Sequence, residues 1–244
     1  MAKKRLDILL SERELVTTRE RARALILAGQ VKVNGTVVSK AGTPVADDAS
    51  IELVMPDHPY VGRGGIKLAH ALEVFGIAVT GRSALDVGAS TGGFTDVLLQ
   101  RGAASVVALD VGHGQLDWRL RTDPRVIVKE GVNARALSSR DVPNAVDLVT
   151  IDVAFISLRH IFPALPPVLA PAADVVALVK PQFEAGRDQV DKGGIVTDPS
   201  VHDAVLAQVT SAAIESGFVR VAMTPSPITG AEGNREFFLH LRLR

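Results

Sequence analysis

Four ionisable side chains stand out by where the sequence pattern puts them: Lys67, Asp152, Lys180 and Glu236. Asp152 closes the apolar run "VDLVTID", and Lys180 closes "VVALVK" just before Pro181. Lys67 opens the amphipathic stretch "IKLAHALEVFG", and Glu236 starts the last apolar run. Taken singly, each reads as a solvated surface charge. Two charges that end two predicted parallel strands read differently, because sites in such sheets lie at the carboxyl ends of the strands. Lysine and carboxylate groups gathered in one cleft can move a proton and position a reacting atom.

A second stretch speaks of a ligand. "LDVGASTGGFTD" ends an apolar run in Asp86, places Gly88, Gly92 and Gly93 within six residues, and continues as an amphipathic segment. That order is strand, tight turn, helix. A triphosphate loop needs Gly-Lys-Ser/Thr, and "GASTGGFT" has no lysine. A dinucleotide fingerprint needs a middle glycine, and Ala89 takes its place, although Gly88 and Gly93 keep the outer spacing. S-adenosylmethionine is the third candidate. Backbone N–H groups of the turn would meet its carboxylate, and Asp86 its cationic side. Asp110 in "VVALDVG", 24 residues after Asp86, suits a pair of ribose hydroxyls in either cofactor. The turn by itself leaves the choice open, as it does a glycine turn that binds nothing.

The elements around these residues fall into two parts. Residues 1–57 read as two helices followed by a small antiparallel sheet. Leu6, Leu9 and Leu10 share a helical face. Thr17 or Thr18 caps a second helix striped by Ala22, Leu25 and Ile26, Gly29 ends it, and "QVKVNG" runs into an Asn34-Gly35 turn. "TVVSKAG" and "SIELV" supply further strands. Residues 58–64, inside the Pro- and Gly-rich "MPDHPYVGRGG", read as a linker. From Gly65 to residue 244 helices and apolar strands alternate, with "QLDWRLR" a short helix and "SLRHIFPALPPVL" helical despite its prolines. Apolar strands separated by helices predict an α/β fold: a mostly parallel, Rossmann-like sheet covered on both faces.

The first part resembles the small RNA-binding domain of the ribosomal-protein-S-four type, through "RLDILLSERELVTTRERARALILAGQVKVNG". The resemblance implies RNA binding by a basic face, with Arg5, Arg19, Arg21 and Arg23 as contacts and Arg63 beside them. Residues 1–40 hold nine Lys/Arg against four Asp/Glu, a net +5 on a chain that is neutral overall, which points the same way. The order Lys67, Asp152, Lys180, Glu236 resembles the catalytic tetrad of the FtsJ-like ribose 2′-O-methyltransferases. With the head included, nearly the whole chain resembles the TlyA (hemolysin A) family of ribosomal RNA methyltransferases. The carrying motifs are "YVGRGGIKL", "LDVGASTGGFTDVLL", "ALDVGHGQLDWRLR", "DLVTIDVAFISL", "LVKPQFEAGR" and "GNREFFL".

What the resemblance implies is a class I methyltransferase that moves a methyl group from S-adenosylmethionine to a cytidine ribose 2′-hydroxyl in ribosomal RNA of assembled subunits, small, large or both. That hydroxyl is too weak an acid to ionise near neutral pH, so a base must take its proton. An ordinary lysine is protonated; a neighbouring cation and desolvation make it a better base. Lys180 beside Lys67 is therefore the expected base, with Lys67 and Glu236 positioning the hydroxyl and Asp152 orienting Lys180 near the sulfonium. The proton can leave to solvent, so no metal is expected. Asp86, Gly88, Ser90, Gly92, Gly93, Phe94, Asp110, Val132, Asn133 and Asp152 are the expected cofactor contacts, the adenine lying after "RVIVKE" near Gly131. His113 either touches the cofactor or shapes a turn, and Trp118 is expected in the core. Phe155 and Ser157 line the target-base pocket or pack. Arg187 and Lys192, in the polar loop after Lys180, meet phosphates or water.

The chain has no cysteine, which excludes disulfides and thiolate metal sites. Its N-terminus lacks the apolar core of a signal peptide, and Ile161–Val179 carries four prolines and Asp174, which argues against a membrane span. A cytoplasmic protein is expected; a monomer is compatible with the sequence, which does not set the oligomeric state. Rival readings are an inactive RNA-binding assembly factor, a membrane-damaging haemolysin, which no strongly amphipathic basic helix supports, and an NAD dehydrogenase, disfavoured by Ala89.

Overall fold

The computed structural model describes residues 3–16, 18–53, 58–230 and 233–244. Thr17 therefore lies outside the described residues, as do residues 54–57 at the end of the first part. In the N-terminal part, β1 (Lys3–Arg5) leads into α1 (Leu6–Glu12) and α2 (Arg19–Leu27). Thr18 caps α2, its side chain accepting the Arg21 backbone N–H at 3.1 Å. Then come β2 (Val31–Val33), β3 (Thr36–Val37), β4 (Pro44–Ala46) and β5 (Ile51–Leu53). Asn34 and Gly35 both take positive φ, 49° and 79°, as a tight primed hairpin turn requires. The strands form an antiparallel sheet β3-β2-β5 and a β1-β4 pair. The pair begins with a strand ahead of α1 that the sequence pattern did not suggest. Leu6, Leu9, Leu10, Ala22, Ile26 and Val31 are buried together beneath them.

The rest alternates as expected: α3 (Gly64–Val74), β6 (Ser83–Val87), α4 (Gly93–Gln100), β7 (Ser105–Asp110), α5 (Trp118–Arg121), β8 (Val126–Glu130), β9 (Val146–Ile151), β10 (Leu169–Val179), α6 (Pro181–Glu184), α7 (Pro199–Glu215), β11 (Phe218–Pro225) and β12 (Phe237–Leu243). One seven-stranded sheet runs β11-β12-β10-β9-β6-β7-β8; β10, β9, β6, β7 and β8 pair in parallel, and β12 is antiparallel to both its neighbours. This is the mostly parallel, Rossmann-like sheet that the alternation predicts. Both faces are covered. Leu85, Val87, Val107 and Val149 point into one apolar layer with Phe162 and Val205, while Ala84, Val106, Leu148 and Val176 point into the other with Leu68 and Leu98.

The order matters for function. The chain leaves β6 outward through β7 and β8, then returns to lay β9 on the other side of β6. Such a reversal opens a crevice beyond the strand ends, and that is where ligands bind in this class of sheet.

Two expectations about elements fail. "SLRHIFPALPPVL" forms three short 3₁₀ turns, Leu158–His160, Phe162–Ala164 and Pro166–Val168, because its prolines remove the donors a continuous helix needs. Trp118 starts α5 and is 65% exposed rather than in the core. Among the described residues no helix is long and apolar enough to cross a membrane.

Candidate active site

The three strand ends at the crevice are knitted together by backbone. Gly88 N and Ala89 N both donate to Leu109 O, at 2.8 and 3.0 Å, and Asp152 N donates to Val87 O at 2.9 Å. Gly88 has φ +86°, and a Cβ there would stand 2.3 Å from the carbonyl oxygen of Asp152. Only glycine lets the turn pass this close to the end of β9. Gly92 ends the turn at φ +98°, packed on Leu116 and Leu120, and Gly93 opens α4 where it nearly touches Gly64 and Gly65 of α3. Both glycines permit close packing, and Gly93 also lines a cleft.

Asp110 ends β7 with both carboxylate oxygens engaged. Ser90 N donates to one at 2.8 Å and Gly112 N to the other at 2.7 Å. The acid thus fixes the turn as well as facing the crevice. A cleft of about 500 Å³ opens beside it, lined among others by Gly88, Ser90, Asp110, Val132, Asn133 and Asp152. Asn133 also caps a 3₁₀ turn by accepting the Arg135 N–H. A second cleft of about 230 Å³ adjoins, sharing Gly88, Ser90, Asp152 and Ala154 and adding Gly64, Gly93, Phe94 and Lys180.

Asp86 is not on either lining. It is fully buried, accepting Thr95 Oγ1 at 2.7 Å and Thr150 Oγ1 at 2.9 Å. Burial pushes its carboxyl up to about 7, against the pull of the two threonines and with help from the Asp152 charge. The expected contact between this carboxylate and a cationic ligand is therefore replaced by a clamp between β6, α4 and β9. Asp86 points to the α3/α4 side of the sheet because it follows Leu85 in strict alternation.

The four ionisable residues come together as two ion pairs. Lys180 Nζ lies 2.5 Å from Asp152 Oδ1, and Lys67 Nζ donates to Glu236 Oε2 at 2.6 Å. Both lysines are largely shielded, and Glu236 is buried. Gly64, one turn before Lys67 on α3, would bring a Cβ to 3.9 Å from Asp152 Oδ2, so the two pairs are near neighbours. Each lysine is thus matched with a carboxylate, Lys180 with Asp152 and Lys67 with Glu236.

Other expected residues sort as follows. Phe155 lies on the larger cleft, 91% exposed and held at φ 62°, its ring 5.1 Å from Phe183. Ser157 is buried and donates to Glu184 at 2.6 Å, so it packs rather than lining a pocket. The His113 ring lies over Gly131, whose Cβ would come within 2.9 Å of it, which makes His113 part of a turn. Arg187 and Lys192 are exposed. Arg5, Arg19 and Arg23 converge on Asp7, whereas Arg21 is turned away to pair with Asp117 at 2.7 Å. Arg63 is exposed at the N-terminus of α3.

The sequence reading missed Thr95, Thr150, Gln115, Asp117 and Asn234. Gln115 accepts from Ser90 Oγ, and Asn234 ties the polar loop to the approach of β12 by accepting Val196 N and donating to Gly194 O. Single hydroxyls and amides carry no spacing signal; only "GNREFFL" hinted at Asn234.

A family model of FtsJ-like methyltransferases matches residues 60–243. The chain belongs to the FtsJ-like methyltransferase family. Ahead of that region, an S4 domain model matches residues 4–51. This FtsJ-like methyltransferase is 48% identical over 239 residues to the 16S/23S rRNA (cytidine-2′-O)-methyltransferase TlyA of Mycobacterium tuberculosis, covering 98% of this chain and 89% of that one. The structure of a candidate hemolysin from Streptococcus thermophilus matches all of the chain and 89% of its counterpart, with TM-score 0.77 and 45% identity. An S-adenosylmethionine dependent methyltransferase from Mesorhizobium loti shares the fold over 71% of this chain and 96% of its own, with TM-score 0.53 and 18% identity. Among the described residues no group of three or more histidines and carboxylates is placed to hold a metal ion.

Proposed function

We propose that this chain transfers a methyl group from S-adenosylmethionine to the ribose 2′-hydroxyl of a cytidine in ribosomal RNA, acting on assembled subunits. Residues 1–57 read the RNA, 58–64 connect, and 65–244 catalyse. The observation that carries this reading is the Lys180–Asp152 pair at 2.5 Å, set where two adjoining clefts meet.

The larger cleft suits that cofactor. Its volume is in the range of small-molecule sites. Its lining offers the Asp110 carboxylate for ribose hydroxyls, Val132 and Asn133 for an adenine, and the turn around Gly88 and Ser90 for the amino-acid end. Bound there, S-adenosylmethionine supplies a methyl group on a cationic sulfur. Asp152, on the lining of both clefts, would lie near that positive centre, and the smaller cleft beside Lys180 and Phe94 would take the target ribose. Phe155, exposed at the rim, offers a face to the target base.

In its neutral form Lys180 Nζ would take the proton of a 2′-hydroxyl bound in the smaller cleft, and the ammonium so formed would lie against Asp152. Lys67, held by Glu236, places positive charge and hydrogen-bond donors beside the same oxygen. Holding nucleophile and methyl group in register supplies much of the rate. The test is methyl incorporation from labelled cofactor into unmodified ribosomal subunits, with the 2′-O-methyl sites mapped. Subunit binding without incorporation would favour an assembly factor.

A further inference from the structure

Asp7 sits in the first turn of α1 with its side chain fully buried, and three arginines close on it. Arg5 bonds it twice, Nε to Oδ1 at 2.9 Å and Nη2 to Oδ2 at 3.1 Å. Arg19 and Arg23 each reach Oδ2 through Nε, at 3.0 and 3.1 Å. The guanidiniums hold the carboxyl well below the usual carboxylate range, those of Arg5 first, so the centre is an anion among cations.

Two features go beyond what holding the fold requires. One arginine neutralises one carboxylate; three leave a surplus of two positive charges. The side chains of Arg5, Arg19 and Arg23 also stay 47%, 42% and 49% exposed. Arg19 and Arg23 spend Nε on Asp7, and among the described residues their Nη atoms donate to nothing else. With Nε turned inward, the terminal Nη edge faces solvent, the edge that meets a phosphate end-on. The backbone at Gly42 runs beside the Arg5 guanidinium, where an added Cβ would stand 3.2 Å from Nη1.

We propose that Asp7 is a positioning residue that fixes Arg5, Arg19 and Arg23 as a preformed site for RNA phosphodiester oxygens. It rests on the reading that the N-terminal part binds RNA. A flexible arginine loses rotamer freedom when it binds. Asp7 meets that loss in the folded protein beforehand. The negative charge therefore strengthens binding to a polyanion.

The sign makes the test sharp. Asp7→Asn adds one unit of positive charge to the N-terminal part, and charge alone would tighten RNA binding. Positioning predicts the opposite: affinity of the full-length protein for purified, unmodified large ribosomal subunits falls about tenfold, with S-adenosylmethionine affinity unchanged. Arg19→Lys, at an exposed position, keeps the charge but loses the inward Nε and planar edge, and affinity should fall about as far in a variant whose circular dichroism and melting match the wild type. Unaltered or tighter subunit binding by a folded Asp7→Asn protein overturns the proposal. So does wild-type affinity of Arg19→Lys, which decides the matter even where Asp7→Asn melts early. Arg19→Glu separates the two levels. If it too leaves subunit binding intact, the RNA-binding reading falls along with the positioning role; if it alone weakens binding, only the positioning role falls.

Discussion

Lys180 Nζ and Asp152 Oδ1 meet at 2.5 Å although the residues come from the ends of two different parallel strands, β10 and β9. Both residues line the smaller cleft, and in the proposed mechanism the Asp152 carboxylate would take up the positive charge that proton transfer to Lys180 creates. Lys180→Arg keeps that charge but cannot act as a base. Both Lys180→Arg and Lys180→Ala should slow single-turnover methyl transfer by about 10²–10⁴-fold, with cofactor and subunit affinities nearly unchanged. Lys67→Arg should be milder, since its contact with Glu236 asks for charge and donors. A Lys180→Arg rate within a few-fold of wild type moves the base role elsewhere.

Asp110 joins two functions in one carboxylate, bracing the glycine turn through Ser90 N and Gly112 N while facing the larger cleft. Asp110→Ala should weaken S-adenosylmethionine binding at least about tenfold in titration calorimetry. Subunit binding should be unaffected. Equal cofactor affinity in the variant would remove Asp110 from the site.

Phosphate recognition by Arg19 and Arg23 should show in salt dependence. Replacing both with Glu should abolish binding to subunits and leave cofactor affinity alone. For the wild type, log affinity should fall steeply and linearly with log salt. A flat salt profile in filter binding argues against the basic face.

Asp86 predicts a pH dependence of stability. Its folded pKa is raised to about 7, chiefly by burial. A raised pKa means the folded state favours the protonated form. The associated stability is full below the ordinary aspartate pKa and is lost as pH rises through about 7. Asp86→Asn can keep partners for Thr95 and Thr150 without a buried charge. Its melting temperature relative to wild type should rise between pH 5 and pH 8. A difference that is constant or shrinks over that interval contradicts the shift.

The sequence by itself determined the alternation of strands and helices, the glycine turn after β6, the hairpin at Asn34-Gly35, and the strand-end positions of Asp152 and Lys180. Periodicity and turn chemistry are local, so a one-dimensional pattern carries them. It over-read the proline-rich segment after Ser157 as one helix, where missing backbone donors break the chain into 3₁₀ turns. Only the tertiary structure decided which charges pair. Lys67 and Glu236 are 169 residues apart and Arg21 and Asp117 are 96 apart, separations over which no spacing rule operates. Burial is likewise a property of the assembled layers. Asp86 and Asp110 each end or nearly end a parallel strand, yet one side chain points between packed helices and sheet while the other points to the crevice. Desolvation and hydrogen-bond partners, which differ between those two places, are what make one a structural clamp and the other a candidate ligand contact.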